Sequence, residues 1–111
     1  MNEEVRGPAP LTDEDAAMYA SWFRALAEPA RARLLNLLAI ERRPMAVREI
    51  VECCTIGQST VSHHLKILTE ARFVLSERRG TSTLYRVNET CLERLPAAVR
   101  TIMGQEPHRA R

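Results

Sequence analysis

Two features of this 111-residue sequence predict a mainly α fold that carries one small β-hairpin. Most of the chain repeats apolar residues at helical spacing, whereas residues 73–87 hold two short β-runs, with Thr83, Tyr85 and Val87 alternating in the second. A third feature sets the arrangement. A short helical run, a glycine turn and a polar-faced helical run precede the hairpin, the layout of a winged helix-turn-helix with about five helices plus a two-stranded wing.

The length points to one domain, and an apolar fraction of 45% excludes wholesale disorder. No apolar run is long enough to cross a bilayer. The start, Met1-Asn2-Glu3-Glu4, lacks the basic-then-apolar order of a secretory signal, so a cytoplasmic protein is expected. Three cysteines, two of them adjacent, make a poor disulfide framework and read as thiols.

The net charge of +2 conceals an asymmetry. Residues 1–15 set Glu3, Glu4, Asp13, Glu14 and Asp15 against Arg6 alone, and the rest of the chain is basic. Lys66 is the single lysine, so the positive charge is nearly all guanidinium, which suits bidentate contact with phosphate or guanine.

Residues 1–10, with Gly7, Pro8 and Pro10, read as a flexible arm before a domain spanning 11–103. Thr12 or Asp13 caps a first helix whose opening turn carries Glu14 and Asp15. Met18, Trp22 and Leu26 recur on one face, widened by Tyr19 and Phe23, and so broad a stripe calls for a second subunit. Pro29 opens a second helix, apolar on most sides through Leu34, Leu35, Leu37, Leu38 and Ile40, and expected to run through the middle of the domain. Arg42-Arg43-Pro44 ends it.

Val47, Ile50, Val51 and Cys54 mark a third helix, and Thr55-Ile56-Gly57 a tight turn. The fourth helix, 58–71, has a narrow apolar stripe of Val61, Leu65 and Leu68. Its remaining surface holds Gln58, Ser59, Thr60, Ser62, His63 and Lys66, with no acidic residue before Glu70. A helix that merely faced water would carry Glu–Lys pairs; small hydroxyls and donors fit close to base edges and phosphates. The β-runs 73–77 and 83–87 are joined by residues 78–82, a connection that presents Arg78 and Arg79 to a DNA backbone or minor groove. A last helix over about 88–103 aligns Leu92, Leu95, Val99 and Ile102, with Pro96 expected to kink or restart it, and 104–111 is a loose tail.

Three stretches carry a family resemblance. Ala27-Glu28-Pro29-Ala30-Arg31-Ala32-Arg33-Leu34-Leu35, the run Gly57-Gln58-Ser59-Thr60-Val61-Ser62-His63-His64-Leu65-Lys66-Ile67-Leu68, and the wing from Arg78-Arg79-Gly80-Thr81 to Leu84-Tyr85-Arg86-Val87 resemble the ArsR/SmtB regulators. The resemblance covers about residues 20–95. It implies a homodimer built from the first and last helices, with Tyr19, Trp22, Phe23, Leu95, Val99 and Ile102 at its interface. It also implies repression at an inverted-repeat operator in double-stranded DNA, relieved by an inducer. Gly57 departs from the family's usual capping serine, at a cost of about a few tenths of a kcal/mol.

The inducer is left open. The Cys-x-Cys positions of arsenic-sensing relatives fall on Ala46 and Arg48, and the last helix offers Glu89, Cys91 and Glu93 without a histidine. Cys53, Cys54 and Cys91 remain as candidates for a soft metal or arsenite, or for redox chemistry, while Cys54 equally continues the apolar stripe. His108 with Glu106 would suit nickel or zinc, or simply be solvated. A regulator with no small-molecule site, controlled by a partner protein, is the alternative. His63 and His64 point about 100° apart on a helix and cannot easily share a site. A Cys–His enzyme lacks an orienting third residue, and a protein-binding winged helix could dispense with the hydroxyl face and basic wing kept here.

Overall fold

The computed structural model describes residues 9–105. Its elements run α1 (Asp13–Leu26), α2 (Pro29–Glu41), β1 (Met45–Ala46), α3 (Val47–Glu52), α4 (Gln58–Glu70), β2 (Val74–Arg79), β3 (Ser82–Val87) and α5 (Cys91–Ile102). They divide into two compact units. One is Ser21–Glu89; the other is built from the two ends of the chain, up to Ala20 and from Thr90 onward. No helix among the described residues is long and apolar enough to cross a membrane.

Local chemistry sets most of the boundaries. Thr12 caps α1, its Oγ1 accepting the Asp15 N–H at 3.0 Å, and Asp13, Glu14 and Asp15 fill the positive end of the helix. Pro29 occupies the first turn of α2, where no N–H is required. That helix ends at Arg42, whose backbone is left-handed with φ 59° and whose N–H donates to Leu38 O at 3.1 Å. The Ala46 N–H donates to Glu49 Oε1 at 2.9 Å and closes the first turn of α3.

α4 ends in a Schellman turn. Arg72 takes φ 68°, its N–H donates to Thr69 O, and the Phe73 N–H reaches back to Leu68 O at 3.0 Å. Leu68 and Phe73 are both buried, the apolar contact that accompanies this motif. The chain then enters the sheet directly. α5 closes the same way through Gly104, at φ 74°, with the Gln105 N–H on Arg100 O.

The core of the Ser21–Glu89 unit is Leu34, Leu38, Met45, Ile50, Val61, Leu65, Leu68, Phe73 and Val74, none more than 2% exposed. α4 lies against α2, α3 and β2. In the other unit Tyr19 and Ala98 are buried.

The sheet has three strands, not two. β1 joins the hairpin in the order β1-β3-β2, pairing Met45 with Tyr85 and Ala46 with Leu84. A two-residue strand has no alternation to read, and tertiary pairing alone creates it. β2 and β3 are also longer than expected, pairing as far as Arg79 with Ser82. The connection shrinks to Gly80-Thr81, and Gly80 supplies the φ of 63° that a two-residue hairpin needs at its first position.

Two helices differ from expectation. α2 buries only Leu34 and Leu38, while Ile40 is 65% exposed, so it flanks the core instead of threading it. α5 starts at Cys91 and runs through Pro96 undivided. The proline lies in the second turn, where it deprives the Leu92 carbonyl of its i+4 donor, and the helix continues past it.

Arg42 holds a conformation that costs an L-residue roughly 1–2 kcal/mol, less the extra chain entropy that glycine would lose. Arg42→Gly is therefore expected to raise stability by about 0.5–1 kcal/mol, and Arg42→Val to lower it. Urea midpoints at unchanged slope measure both.

Candidate nucleic-acid interface

α4 is sorted into two faces by its period. Val61, His64, Leu65 and Leu68 are buried, at spacings of three, one and three residues. Gln58, Ser59, Thr60, Ser62, His63 and Lys66 are all exposed, and their side chains form no hydrogen bond among the described residues. The outward surface thus carries amide, hydroxyl, imidazole and ammonium groups with their donors free.

Gly57 precedes this helix with extended backbone, φ −80° and ψ 173°, and provides no side-chain cap. A Cβ there would meet nothing within 4 Å, so glycine is not required by space. Glycine brings no side chain to cap the first amides of α4. Such amides, at the positive end of a helix, favour phosphate.

His64, on the buried face of α4, is held by more than packing. Arg31 Nη1 lies 3.3 Å from His64 Nδ1, while Arg31 Nε donates to Ala25 O at 2.6 Å and Nη2 to Arg24 O at 3.4 Å. One guanidinium therefore ties α2 to the end of α1 and to the inner face of α4. Arginine has only donors, so Nδ1 accepts and the imidazole proton sits on Nε2. Burial lowers the His64 pKa, and Arg31 adds to that, against a smaller opposing pull from Glu28. The sequence signal for this bond is slight, since Arg31 and His64 lie 33 residues apart.

The wing arginines lie on the end of β2 and not in a loose connection, because the ladder extends to them. Arg78 pairs across from Thr83, and its Nη1 lies 3.5 Å from Thr83 Oγ1. Arg79 forms an ion pair with Glu77. Both guanidinium groups are exposed.

Cys53 caps the C-terminus of α3 and is exposed; Cys54 follows in the turn, half-buried and off the helix. Burial pushes the Cys54 thiol up, Cys53 adds to this, and Arg33 works the other way. Cys91 belongs to the other unit, where Arg94 Nη2 donates to its Sγ at 3.3 Å. Within neither unit do three His, Cys, Asp or Glu side chains converge among the described residues. Two adjacent thiols, one of them disfavoured as thiolate, do not complete a trigonal thiolate set. His108 and Glu106 lie outside the described residues.

Of the residues expected at a dimer interface, Tyr19 is buried and Trp22, Phe23 and Leu95 are half-buried. Val99 and Ile102 are 45% and 46% exposed, and Leu92 is 77% exposed on the same helix.

Residues 28–76 match the family described as bacterial regulatory protein, arsR family. The regulator NmtR of Mycobacterium tuberculosis is 36% identical over 90 residues, which span 81% of this chain and 73% of that protein. A transcriptional repressor SmtB homolog of Synechocystis is 35% identical over 85 residues, 75% of this chain and 63% of that one. Among solved structures, a homodimeric winged helix-turn-helix DNA-binding domain from Mycobacterium bovis, a possible ArsR-family regulator, superposes with a TM-score of 0.65. It is 30% identical, and the match covers 93% of this chain and 98% of that one.

The lowered His64 pKa gives stability a pH dependence of known sign. Protonation favours the unfolded chain, so the contribution is intact above the ordinary value of 6.5 and is lost as pH falls toward the depressed folded value. Urea midpoints taken from neutral to mildly acidic pH are expected to drop further in the wild type than in His64→Gln. Parallel pH profiles would contradict the assignment.

Proposed function

This chain belongs to the arsR family of bacterial regulatory proteins, and we propose that α4 is its DNA-recognition helix and β2–β3 its wing, with residues 11–103 forming the DNA-binding and dimerisation domain. The observation that carries this is the outward face of α4, where six exposed donors and acceptors stand without a carboxylate among them.

Each group has work suited to its chemistry. Gln58 and Ser59 lie at the leading end of α4, the part of a recognition helix that reaches base edges. Thr60, Ser62 and His63 are short enough to let the helix sit deep in the major groove. Lys66, two turns in, meets the phosphate backbone. Gln and Ser can read base edges directly, whereas Lys66, Arg78 and Arg79 supply charge that is blind to sequence. Arg79 must share its guanidinium with Glu77, so Arg78 carries more of the phosphate contact.

A homodimer is supported by the homodimeric relative from Mycobacterium bovis and by the apolar row Leu92, Val99 and Ile102, which α5 leaves exposed in one chain. Two copies place two recognition helices on a two-fold axis, and an inverted-repeat operator mirrors that symmetry. Repression follows where such an operator overlaps a promoter.

The test is the salt dependence of binding to a duplex selected by the protein from a random pool. Affinity is expected to fall steeply as salt rises, since each neutralised phosphate releases counterions. Replacing Arg78 and Arg79 with alanine should weaken binding to all sequences alike and flatten the log–log slope by about one unit per phosphate contact removed. Gln58→Ala or Ser59→Ala should instead change which bases are preferred. Affinity and slope untouched by the double arginine replacement would contradict the wing assignment.

A further inference from the structure

A groove of about 510 Å³ lies between α2 and the connector that leads from α3 into α4. It sits wholly within the Ser21–Glu89 unit. Leu34, Leu37, Ile40 and Ile56 provide apolar walls, and Cys53 and Cys54 line it as well. Its volume falls in the ordinary range for small-molecule sites, which combine apolar walls with a few polar groups.

Two observations say what would enter. Arg33 lines the groove, is exposed, and forms no ion pair or hydrogen bond among the described residues. Its guanidinium acts on the Cys54 thiol, so its field reaches the wall of the connector. Ile40 at the rim is 65% exposed, an apolar side chain that the fold leaves uncovered. Glu28 lies on the rim one and a half turns before Arg33 and repels an anion from its own end. The groove therefore has polarity: an apolar body fits along α2 and a negative head fits at Arg33.

We propose that this groove is an effector site for a small amphipathic carboxylic acid, its carboxylate on Arg33 and its hydrocarbon body against Leu34, Leu37, Ile40 and Ile56. The far wall is the segment Cys53–Ile56, and Gly57 and α4 follow it at once. A ligand wedged against that wall acts on the entry to the recognition helix, so its binding and DNA binding are coupled reciprocally. The coupling rests on the regulator reading; the binding does not.

Octanoate is the probe, with octan-1-ol as the same body without charge, on a Cys91→Ser background that leaves only the vicinal thiols. Calorimetry is expected to find one octanoate site per chain, and octanoate should slow the reaction of Cys53 and Cys54 with a disulfide reagent. Arg33→Met, which breaks no hydrogen bond or ion pair among the described residues, should weaken octanoate by about tenfold, the loss expected for one charge-assisted contact. Octan-1-ol should be comparably weaker, and Leu37→Trp should fill the groove and abolish both effects. Octanoate is further expected to shift the Kd for the selected duplex by about fivefold or more. Absence of binding into the millimolar range, equal binding of octan-1-ol, or affinity unaltered by Arg33→Met would overturn the site. Binding without any shift in DNA affinity would overturn its role as effector. A chain that takes octanoate as described but holds no duplex at low salt leaves the groove standing and removes the regulator reading instead.

Discussion

The outward chemistry of this molecule depends on how α4 is seated. Val61, Leu65 and Leu68 are driven inward by the apolar surface they remove from water, roughly 1.5–3 kcal/mol for each side chain fully buried. His64 joins them on the same face and is fastened by the Arg31 guanidinium, which also holds the carbonyls of Arg24 and Ala25 at the end of α1. With 61, 64, 65 and 68 inside, a period of 3.6 leaves 59, 62, 63 and 66 no choice but to face out. A rotation of α4 by one residue would carry Ser62 or Lys66 into the core.

The same seating extends into the elements on either side. Behind α4, the Schellman turn at Arg72 bonds the Phe73 N–H back to Leu68 O, buries both side chains and leads the chain directly into β2. Ahead of α4, Gly57 and the Cys53–Ile56 connector join it to α3, and the connector forms one wall of the groove whose other wall is α2. Helix, wing and groove are thus parts of one packed unit.

Much of this was legible in the sequence because it is local. The caps at Thr12 and Pro29, the glycine at the hairpin and the two-faced pattern of α4 are written in neighbouring residues. The rest depends on partners far along the chain. β1 exists only because Met45 and Ala46 meet Tyr85 and Leu84, and nothing in the pair itself announces a strand. Likewise, the wing arginines read as loop residues until the ladder is seen to reach them. Ile40 illustrates a further limit, since an apolar residue in a helix need not be covered by its own domain. The bond from Arg31 to His64 joins residues that no periodicity relates. Among the cysteines, proximity in sequence did identify the vicinal pair, but separation in sequence gave no guide to Cys91, which belongs to the other unit.

The most direct test of this arrangement is an amide and methyl NMR titration of the full chain with a duplex that it has itself selected. The amides of residues 58–66 are expected to shift most, with a second group near Gly80, while the methyl groups of Leu65 and Leu68 hold their positions. Largest shifts on α5, with residues 58–66 undisturbed at saturation, would show that another surface takes the DNA and that the exposed hydroxyl face of α4 serves some other end.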